Sequence, residues 1–130
     1  MKPQAGLLLA WALIPTAMSA APPSVVNLRT EYKINPIGID IRQPRLSWQL
    51  ASGERGLVQT AYQIQVAEED TFKSIVWDSG RVPEDRSIHV PYAGPALLSR
   101  KRYHWRVRVW DGAAQASDWS AAAFWEMGLL

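Results

Sequence analysis

The sequence contains no cysteine and only two histidines among its 130 residues. The missing cysteine excludes a disulfide framework, a thiolate metal site and a cysteine nucleophile. An excess of one charge sign is also absent, because 14 basic residues are balanced by 12 acidic ones and the net charge is only +2. Nucleic-acid-binding domains usually concentrate basic charge, so this balance gives no reason to expect a nucleic-acid partner.

Long hydrophobic runs are scarce, and the longest one lies near the amino terminus at residues 7–14. This run is too short to cross a bilayer, which needs about 20 residues. Lys2 precedes the run, Pro15 ends it, and small residues follow, including Ser19 and Ala20. This order of a positive residue, an apolar stretch and small residues is typical of a secretory signal peptide.

We therefore predict a signal peptide over residues 1–20 and one domain over residues 21–130. The protein would be exported to the periplasm or the extracellular space and would keep no membrane span after cleavage. An uncleaved anchor or a buried helix is the alternative for the first segment. The remaining length of roughly 110 residues suits a single domain.

The rest of the chain has the pattern of short β-strands. Apolar and polar residues alternate with period two, most clearly at Tyr62–Val66 and Tyr103–Val109. Turn residues separate the strands, as at 35–38 and 53–56. One helix candidate, 68–73, is too short and poorly patterned to be stable. The predicted strands are 25–32, 46–50, 62–66, 75–77, 87–90, 103–110 and 124–127.

About seven short strands between turns predict an all-β fold, an antiparallel β-sandwich of the fibronectin type III or immunoglobulin-like kind. A parallel α/β fold is excluded, because its helical crossovers need a dozen or more residues and the spacings leave no room for them.

The chemistry-bearing residues do not form a recognisable catalytic or metal-binding pattern. Carboxylates cluster at 68–70 and 84–85, beside predicted turns, where solvated side chains are the usual case. His89 and His104 have no ligand spacing between them, and neither a G-x-S-x-G elbow nor a glycine-rich loop before a helix occurs. We predict no catalytic residue, no cofactor site and no metal site.

Seven tryptophans in so short a chain are unusual. Arg106, Arg108 and Trp110 fall on one face of one predicted strand, and Trp119 follows in the next turn. Stacked arginine and tryptophan side chains there would form a cation–π ladder, each exposed contact contributing about 0.5–1 kcal/mol. The alternative is a carbohydrate platform that includes Trp110.

The other tryptophans divide between the core and the surface. Trp48 and Trp105 lie at inward positions and are predicted to be buried, whereas Trp77 should be half-buried. Trp125 alternates with Phe124, so one of the two must face outward. If Phe124 faces inward, Trp125 is the best exposed aromatic residue and a second candidate for a carbohydrate contact.

Short motifs follow one another in a fixed order through the chain after residue 21. Each is weak alone, but their order and spacing together are specific. They resemble the amino-terminal domain of bacterial alpha-L-rhamnosidases of glycoside hydrolase family 78. The motifs lie at 27–29, 31–32, 35–40, 44–48, 59–64, 77–80, 90–94, 103–111 and 126–130.

The resemblance implies a fibronectin type III-like accessory domain. In that family a pair of acidic residues on a later helical barrel removes terminal rhamnose with inversion, and no position here matches those catalytic motifs. We therefore expect a non-catalytic module of a secreted alpha-L-rhamnosidase, inactive alone, whose partners are the catalytic and other domains of the parent enzyme. Two alternatives remain open, namely a stand-alone carbohydrate-binding module and a protein-interaction module. The second rests on fold analogy alone.

Overall fold

The computed structural model describes residues 23–51 and 58–130. The predicted signal peptide and the predicted loop at 53–56 lie outside the described residues. The described ranges contain no α-helix, and therefore no helix long and apolar enough to cross a membrane. The strands are β1 (Ser24–Thr30), β2 (Ile37–Ile39), β3 (Arg45–Ala51), β4 (Ala61–Ala67), β5 (Ile75–Asp78), β6 (Val90–Pro91), β7 (Arg102–Trp110) and β8 (Ala123–Met127).

The strands form two sheets that pack face to face. One sheet has three strands in the order β1-β3-β6, and the other has five in the order β2-β8-β7-β4-β5. Neighbouring strands run antiparallel except for β2 and β8, which are parallel. The predicted sandwich is confirmed, with eight strands in place of about seven.

The pairing of β4 with β7 forms the centre of the larger sheet. Every residue from Ala61 to Ala67 pairs with one from Trp110 back to His104. Inward residues alternate with outward ones on both strands, so that Ile64 lies opposite Val107 and both are fully buried. The apolar and polar residues that alternate in the sequence are therefore the inward and outward side chains of the sheet.

Trp48 joins the two sheets at the centre of the core. Its ring meets the ring of Tyr62 from the facing sheet edge-on, at 5.3 Å between centroids. Its indole N–H donates to the side-chain oxygen of buried Gln59 at 3.0 Å. The Gln59 amide then donates to the carbonyls of Glu84 and Arg86, which secures the loop before β6. Trp48 and Trp105 are buried as predicted.

A second aromatic group fills one end of the sandwich. Trp125 stacks on Tyr103 at 5.7 Å and meets Tyr92 at 6.1 Å, and Tyr92 also contacts Trp77 at 5.1 Å. The Tyr103 hydroxyl accepts the backbone N–H of Leu98 at 2.9 Å, as in the tyrosine corner of immunoglobulin-like folds. Burial, helped by Tyr103, raises the pKa of Tyr92 to about 12, so its hydroxyl stays protonated as a donor to the Pro95 carbonyl.

The structure corrects one predicted turn, because Ile37–Ile39 forms strand β2 rather than part of a turn at 35–38. The backbone of this segment bonds to the last strand. The Pro36 carbonyl accepts the N–H of Glu126 at 2.9 Å, and the Ile39 carbonyl accepts the N–H of Gly128 at 2.7 Å. Partners almost 90 residues away thus override the local turn chemistry.

Two other predicted strands are shorter than predicted. The strand predicted at 25–32 ends at Thr30, and the one predicted at 87–90 is reduced to Val90–Pro91. The segment 68–73 is not helical, which agrees with its rejection as a stable helix. There the Glu69 carboxylate accepts the Ser74 backbone N–H at 2.6 Å, which closes a tight turn instead.

The close contact at Gly94 yields a stability prediction. A Cβ at this position would lie 2.6 Å from both Trp77 Cβ and the Tyr92 hydroxyl oxygen. We expect Gly94→Ala to lower the free energy of unfolding by about 1–3 kcal/mol through overpacking. Gly112→Ala is the control, since a Cβ there meets nothing within 4 Å. Urea unfolding followed by tryptophan fluorescence measures both, and equal stability of the two variants would contradict the packing shown.

Candidate functional site

The outer face of the five-stranded sheet carries a continuous series of arginine and aromatic side chains, here called the ladder. Its members, in spatial order, are Arg81, Trp110, Arg108, Trp119, Arg106 and Phe72. Successive guanidinium carbons and ring centroids are 4.8, 5.1, 4.6, 4.5 and 4.2 Å apart. The predicted cation–π ladder is therefore confirmed, and it extends beyond the predicted members to Arg81 and Phe72.

Two glutamines of β4 hold the central arginines in place. The strand register sets Gln65 opposite Arg106 and Gln63 opposite Arg108. The Gln65 side-chain oxygen accepts Nε and Nη2 of Arg106 at 3.0 and 2.8 Å, and the Gln63 oxygen accepts Nε of Arg108 at 3.0 Å. A neighbouring glutamine amide thus fixes the orientation of each guanidinium group, and the same group contacts an aromatic ring.

Asp78 on the adjacent strand β5 completes this network. One of its carboxylate oxygens accepts the Gln63 amide at 2.8 Å, and the other accepts the Gln65 amide at 2.9 Å. The Gly80 backbone N–H also donates to Asp78 at 2.8 Å. A single carboxylate therefore orients both amides, so that their oxygens face the arginines.

The pKa values of the network follow from these contacts. Burial alone would raise the pKa of Asp78, but hydrogen bonds from Gln65 and Gln63, with the charge of Arg108, outweigh burial and lower it. Burial and the neighbouring Arg108 charge lower the pKa of Arg106, partly offset by Asp78. Arginine nevertheless stays protonated in proteins, and the ladder keeps its charge.

Trp110, one of the two candidate sugar contacts, is half-buried at the end of β7. Its ring is already in contact with two guanidinium groups, those of Arg81 and Arg108. These contacts give the ring a structural role in the ladder, and a carbohydrate contact at Trp110 stays a prediction.

Trp125, the other candidate, is fully buried, so the alternative in which it faces outward is wrong. Its strand turns Trp125 and Met127 inward, and the indole N–H donates to the Met127 sulfur at 3.2 Å. Phe124 faces outward instead, beneath the guanidinium of Arg102 at 4.1 Å. A side chain enclosed in this way offers no ring face to a sugar at the surface.

The remaining chemistry-bearing residues are dispersed. His104 lies on the outer sheet face beside Phe124, whereas His89 meets Tyr32 on the smaller sheet's side. Within residues 23–51 and 58–130, no three of the His, Asp and Glu side chains form a group that could hold a metal ion. In the acidic segments, Glu68 forms an ion pair with Lys101.

One exposed aromatic residue was not singled out by the sequence pattern. Tyr32 lies in the turn after β1 with 59% of its surface exposed, next to His89 and Arg45. Its turn has no glycine or asparagine at the positions that usually require them. The sequence therefore carries no standard turn signal there, and Glu31-Tyr32 reads as the end of a strand.

Comparisons with known proteins agree on one family. The family model described as "Rha78A-like, N-terminal immunoglobulin domain" matches residues 25–130. An alpha-L-rhamnosidase of Streptomyces avermitilis is 49% identical over 117 residues, covering 88% of this chain and 11% of that protein. One of Formosa agariphila is 39% identical over 102 residues, covering 75% and 11%.

Solved structures give the same result. The Streptomyces avermitilis alpha-L-rhamnosidase, complexed with L-rhamnose, matches with a TM-score of 0.80 and 48% identity, over 82% of this chain and 10% of that one. An alpha-L-rhamnosidase from Dictyoglumus thermophilum matches with a TM-score of 0.77 and 35% identity, over 82% and 12%. The chain thus spans about a tenth of the length of the relatives it matches.

The central position of Trp119 in the ladder yields a second prediction. Trp119→Ala removes the ring between Arg106 and Arg108 and leaves two guanidinium groups adjacent. We expect the free energy of unfolding to fall by about 1–2 kcal/mol, from two cation–π contacts at about 0.5–1 kcal/mol each. Chemical denaturation measures the change, with Trp119→Phe as a control that keeps a ring. Equal losses in the two variants would show that ring contact with arginine contributes nothing.

Asp78 yields a prediction about pH. Its folded pKa lies below the ordinary 3.8, so its stabilisation is complete above that value and is lost as pH falls through the lower folded pKa. We expect Asp78→Asn to be less stable than the wild type at pH 7 and to lose less stability on acidification below 3.8. Unfolding free energies measured across this range test the expectation. Asp85→Asn in an exposed loop is the control, and superimposable acid profiles for wild type and Asp78→Asn would contradict it.

Proposed function

Because the chain belongs to the family of Rha78A-like N-terminal immunoglobulin domains, we propose that it is the non-catalytic amino-terminal module of an alpha-L-rhamnosidase. The observation that carries this proposal is the extent of the match. The family model spans residues 25–130, yet relatives that are called alpha-L-rhamnosidases are about nine times longer than the aligned region. The activity of such a parent enzyme would then reside in the remaining nine-tenths.

The electrostatics of the module support an accessory role. Glycoside hydrolysis needs a carboxylic acid whose pKa is raised, so that it carries a proton near neutral pH. Hydrogen bonds from the Arg45 side chain lower the pKa of Glu31, and the Ser74 backbone N–H lowers that of Glu69. With Asp78, these groups are held ionised, which is the opposite of what a general acid requires.

The partners and the compartment form part of the same proposal. The catalytic and other domains of the parent enzyme are the proposed partners. Export to the periplasm or the extracellular space is proposed from the signal-like pattern of residues 1–20, and mass spectrometry of the mature amino terminus tests it. A stand-alone carbohydrate-binding module with a contact at Trp110 and a protein-interaction module argued from fold analogy are the alternatives.

Absence of catalysis is directly testable. We expect the 130-residue chain to release no p-nitrophenolate from p-nitrophenyl α-L-rhamnopyranoside, because the pKa values of Glu31, Glu69 and Asp78 are lowered, whereas a general acid needs a raised one. The full-length Streptomyces avermitilis relative serves as the positive control. Turnover by the isolated chain, retained through further purification, would contradict the accessory assignment.

The module role itself can be tested by exchange. Residues 25–130 replace the matching segment of the Streptomyces avermitilis protein, which is 49% identical to this chain over 117 aligned residues. We expect the chimera to retain the parent's melting temperature and rhamnosidase activity, whereas deletion of the segment lowers the melting temperature. A chimera as impaired as the deletion variant would show that the two domains are not equivalent modules.

A further inference from the structure

A groove of about 610 Å³ crosses the outer face of the three-stranded sheet, on the opposite side of the sandwich from the ladder. Alcohol, amide and guanidinium groups line it, together with an exposed aromatic ring and an exposed aliphatic side chain. Neither the predicted sugar contacts nor the proposed function involves this surface. The lining residues that the argument uses are Asn27, Arg29, Tyr32, Ser47, Gln49 and Ser87.

The aromatic ring of the groove is carried on a strained turn. Backbone hydrogen bonds of 2.9 Å in both directions join Thr30 and Lys33, so Glu31 and Tyr32 occupy the two central positions of a tight hairpin. Both residues have left-handed backbone conformations, with φ of 51° and 68°. Glycine or asparagine normally fills such positions, because larger side chains are unfavourable there. A strained turn persists only where its surroundings hold it.

Two contacts hold this turn. The Glu31 carboxylate accepts the backbone N–H, Nε and Nη2 of Arg45 at 2.7, 3.0 and 2.7 Å. His89, itself left-handed with φ of 58°, meets the Tyr32 ring edge-on at 5.0 Å. The Tyr32 ring is thereby kept at the rim of the groove with 59% of the residue exposed.

A further left-handed residue lies at the other end of the groove, where asparagine tolerates this conformation. Asn27, with φ of 55°, lies in a bulge of β1 where the register with β3 shifts. Its side-chain amide donates to the Gln49 side-chain oxygen at 2.7 Å across the groove floor. A β-bulge points a side chain in a direction that a regular strand would not provide, and bulges are over-represented next to active sites.

Arg29 supplies the charge of the groove. Its Nε is buried and has no hydrogen-bond partner within the described part of the chain. The neighbouring acid, Glu31, is already engaged by Arg45. The lining thus contains one cation and no carboxylate, so the Arg29 guanidinium is the charge that the groove presents to an anionic ligand.

We propose that this groove binds an acidic saccharide, with a sugar ring against Tyr32 and its carboxylate on Arg29. Hydroxyls of Ser47 and Ser87 and the amides of Asn27 and Gln49 both donate and accept, as a hydroxyl-rich ligand requires. The negative face of an aromatic ring attracts the C–H face of a sugar. A single cation is too little for a nucleic-acid backbone. The site does not depend on the proposed function.

Calorimetric titration of the chain with trigalacturonate tests the proposal. We expect saturable binding with a Kd of about 1 mM or below, as suits one shallow site. The fully methyl-esterified trimer has the same rings without the charge and should bind at least about tenfold more weakly. In the ¹⁵N NMR spectrum of the wild type, the Arg29 Nε resonance should shift with the acid and not with the ester.

Matched variants distinguish binding in the groove from nonspecific attraction between the anionic ligand and the positive charges of the protein. Arg29→Met should weaken trigalacturonate binding at least about tenfold and abolish the preference for acid over ester. Tyr32→Ala should weaken the binding of both the acid and the ester, because both place a sugar ring against Tyr32. Arg42→Met removes an equal charge from an exposed position outside the groove and should leave both affinities unchanged. Thermal melting verifies that each variant is folded, and Arg29→Gln, which also removes the charge, replaces Arg29→Met if the latter is not.

Three outcomes would overturn the proposal. The first is that the wild type shows no saturable binding at trigalacturonate concentrations up to about 10 mM. A Kd above that concentration would be too weak for the proposed site. The second is equal weakening by Arg42→Met and Arg29→Met, which would mean that the charge acts without a site. The third is loss of binding in Trp119→Ala with the groove variants unaffected, which would assign the sugar to the ladder.

Discussion

The register between β4 and β7 is the constraint on which the two faces of the larger sheet depend. Side chains in a strand alternate with a period of two, so one register simultaneously buries Ile64 against Val107 and sets Gln65 beside Arg106. A slip by one residue would expose the apolar set and bury the arginines. Core packing thereby fixes the positions of polar residues that contribute nothing to the core.

The outer face then has to accommodate like charges. Arg106 and Arg108 are two residues apart on one strand, and Trp119 separates their guanidinium groups. The only carboxylate in contact with the amides beneath them, among the described residues, is Asp78. It acts through two glutamines rather than by a direct ion pair. The side-chain amides of Gln63 and Gln65 are therefore oriented so that their partially negative oxygens face the arginines. The flat faces of the guanidinium groups stay available for contact with aromatic rings.

How far the sequence predicts this structure depends on how local each signal is. Strict alternation in 62–66 and 103–109 predicted β4, β7 and the ladder, because period two survives in the sheet. The orientation of Trp125 was also encoded locally. Trp125 and Met127 are two residues apart with the polar Glu126 between them. The period of two therefore places both apolar side chains on the inward face and Glu126 on the outward face. The alternation of Phe124 with Trp125 does not by itself show which of the two faces inward.

Other features had no local signal. β2 exists because residues 36–39 bond to 126–128, and its own Pro-Ile-Gly sequence favours a turn. The outward position of Tyr32 follows from a hairpin turn without the usual residues, held by Arg45 and His89. Tertiary contacts decide both cases. The groove was therefore not predictable from spacing, whereas the fold and family were, through motifs distributed along the chain.

The attachment of β2 to β8 has a consequence for the order of folding. The Asn35 side chain accepts the N–H of Phe124 at 2.9 Å, and the Pro36 and Ile39 carbonyls accept those of Glu126 and Gly128. Closing a loop of about 90 residues is entropically costly and slow, so these bonds are expected to form late. During synthesis, the first edge strand of the larger sheet must wait until the last strand has emerged. β2, although it comes early in the chain, is therefore expected to be the strand that completes the larger sheet.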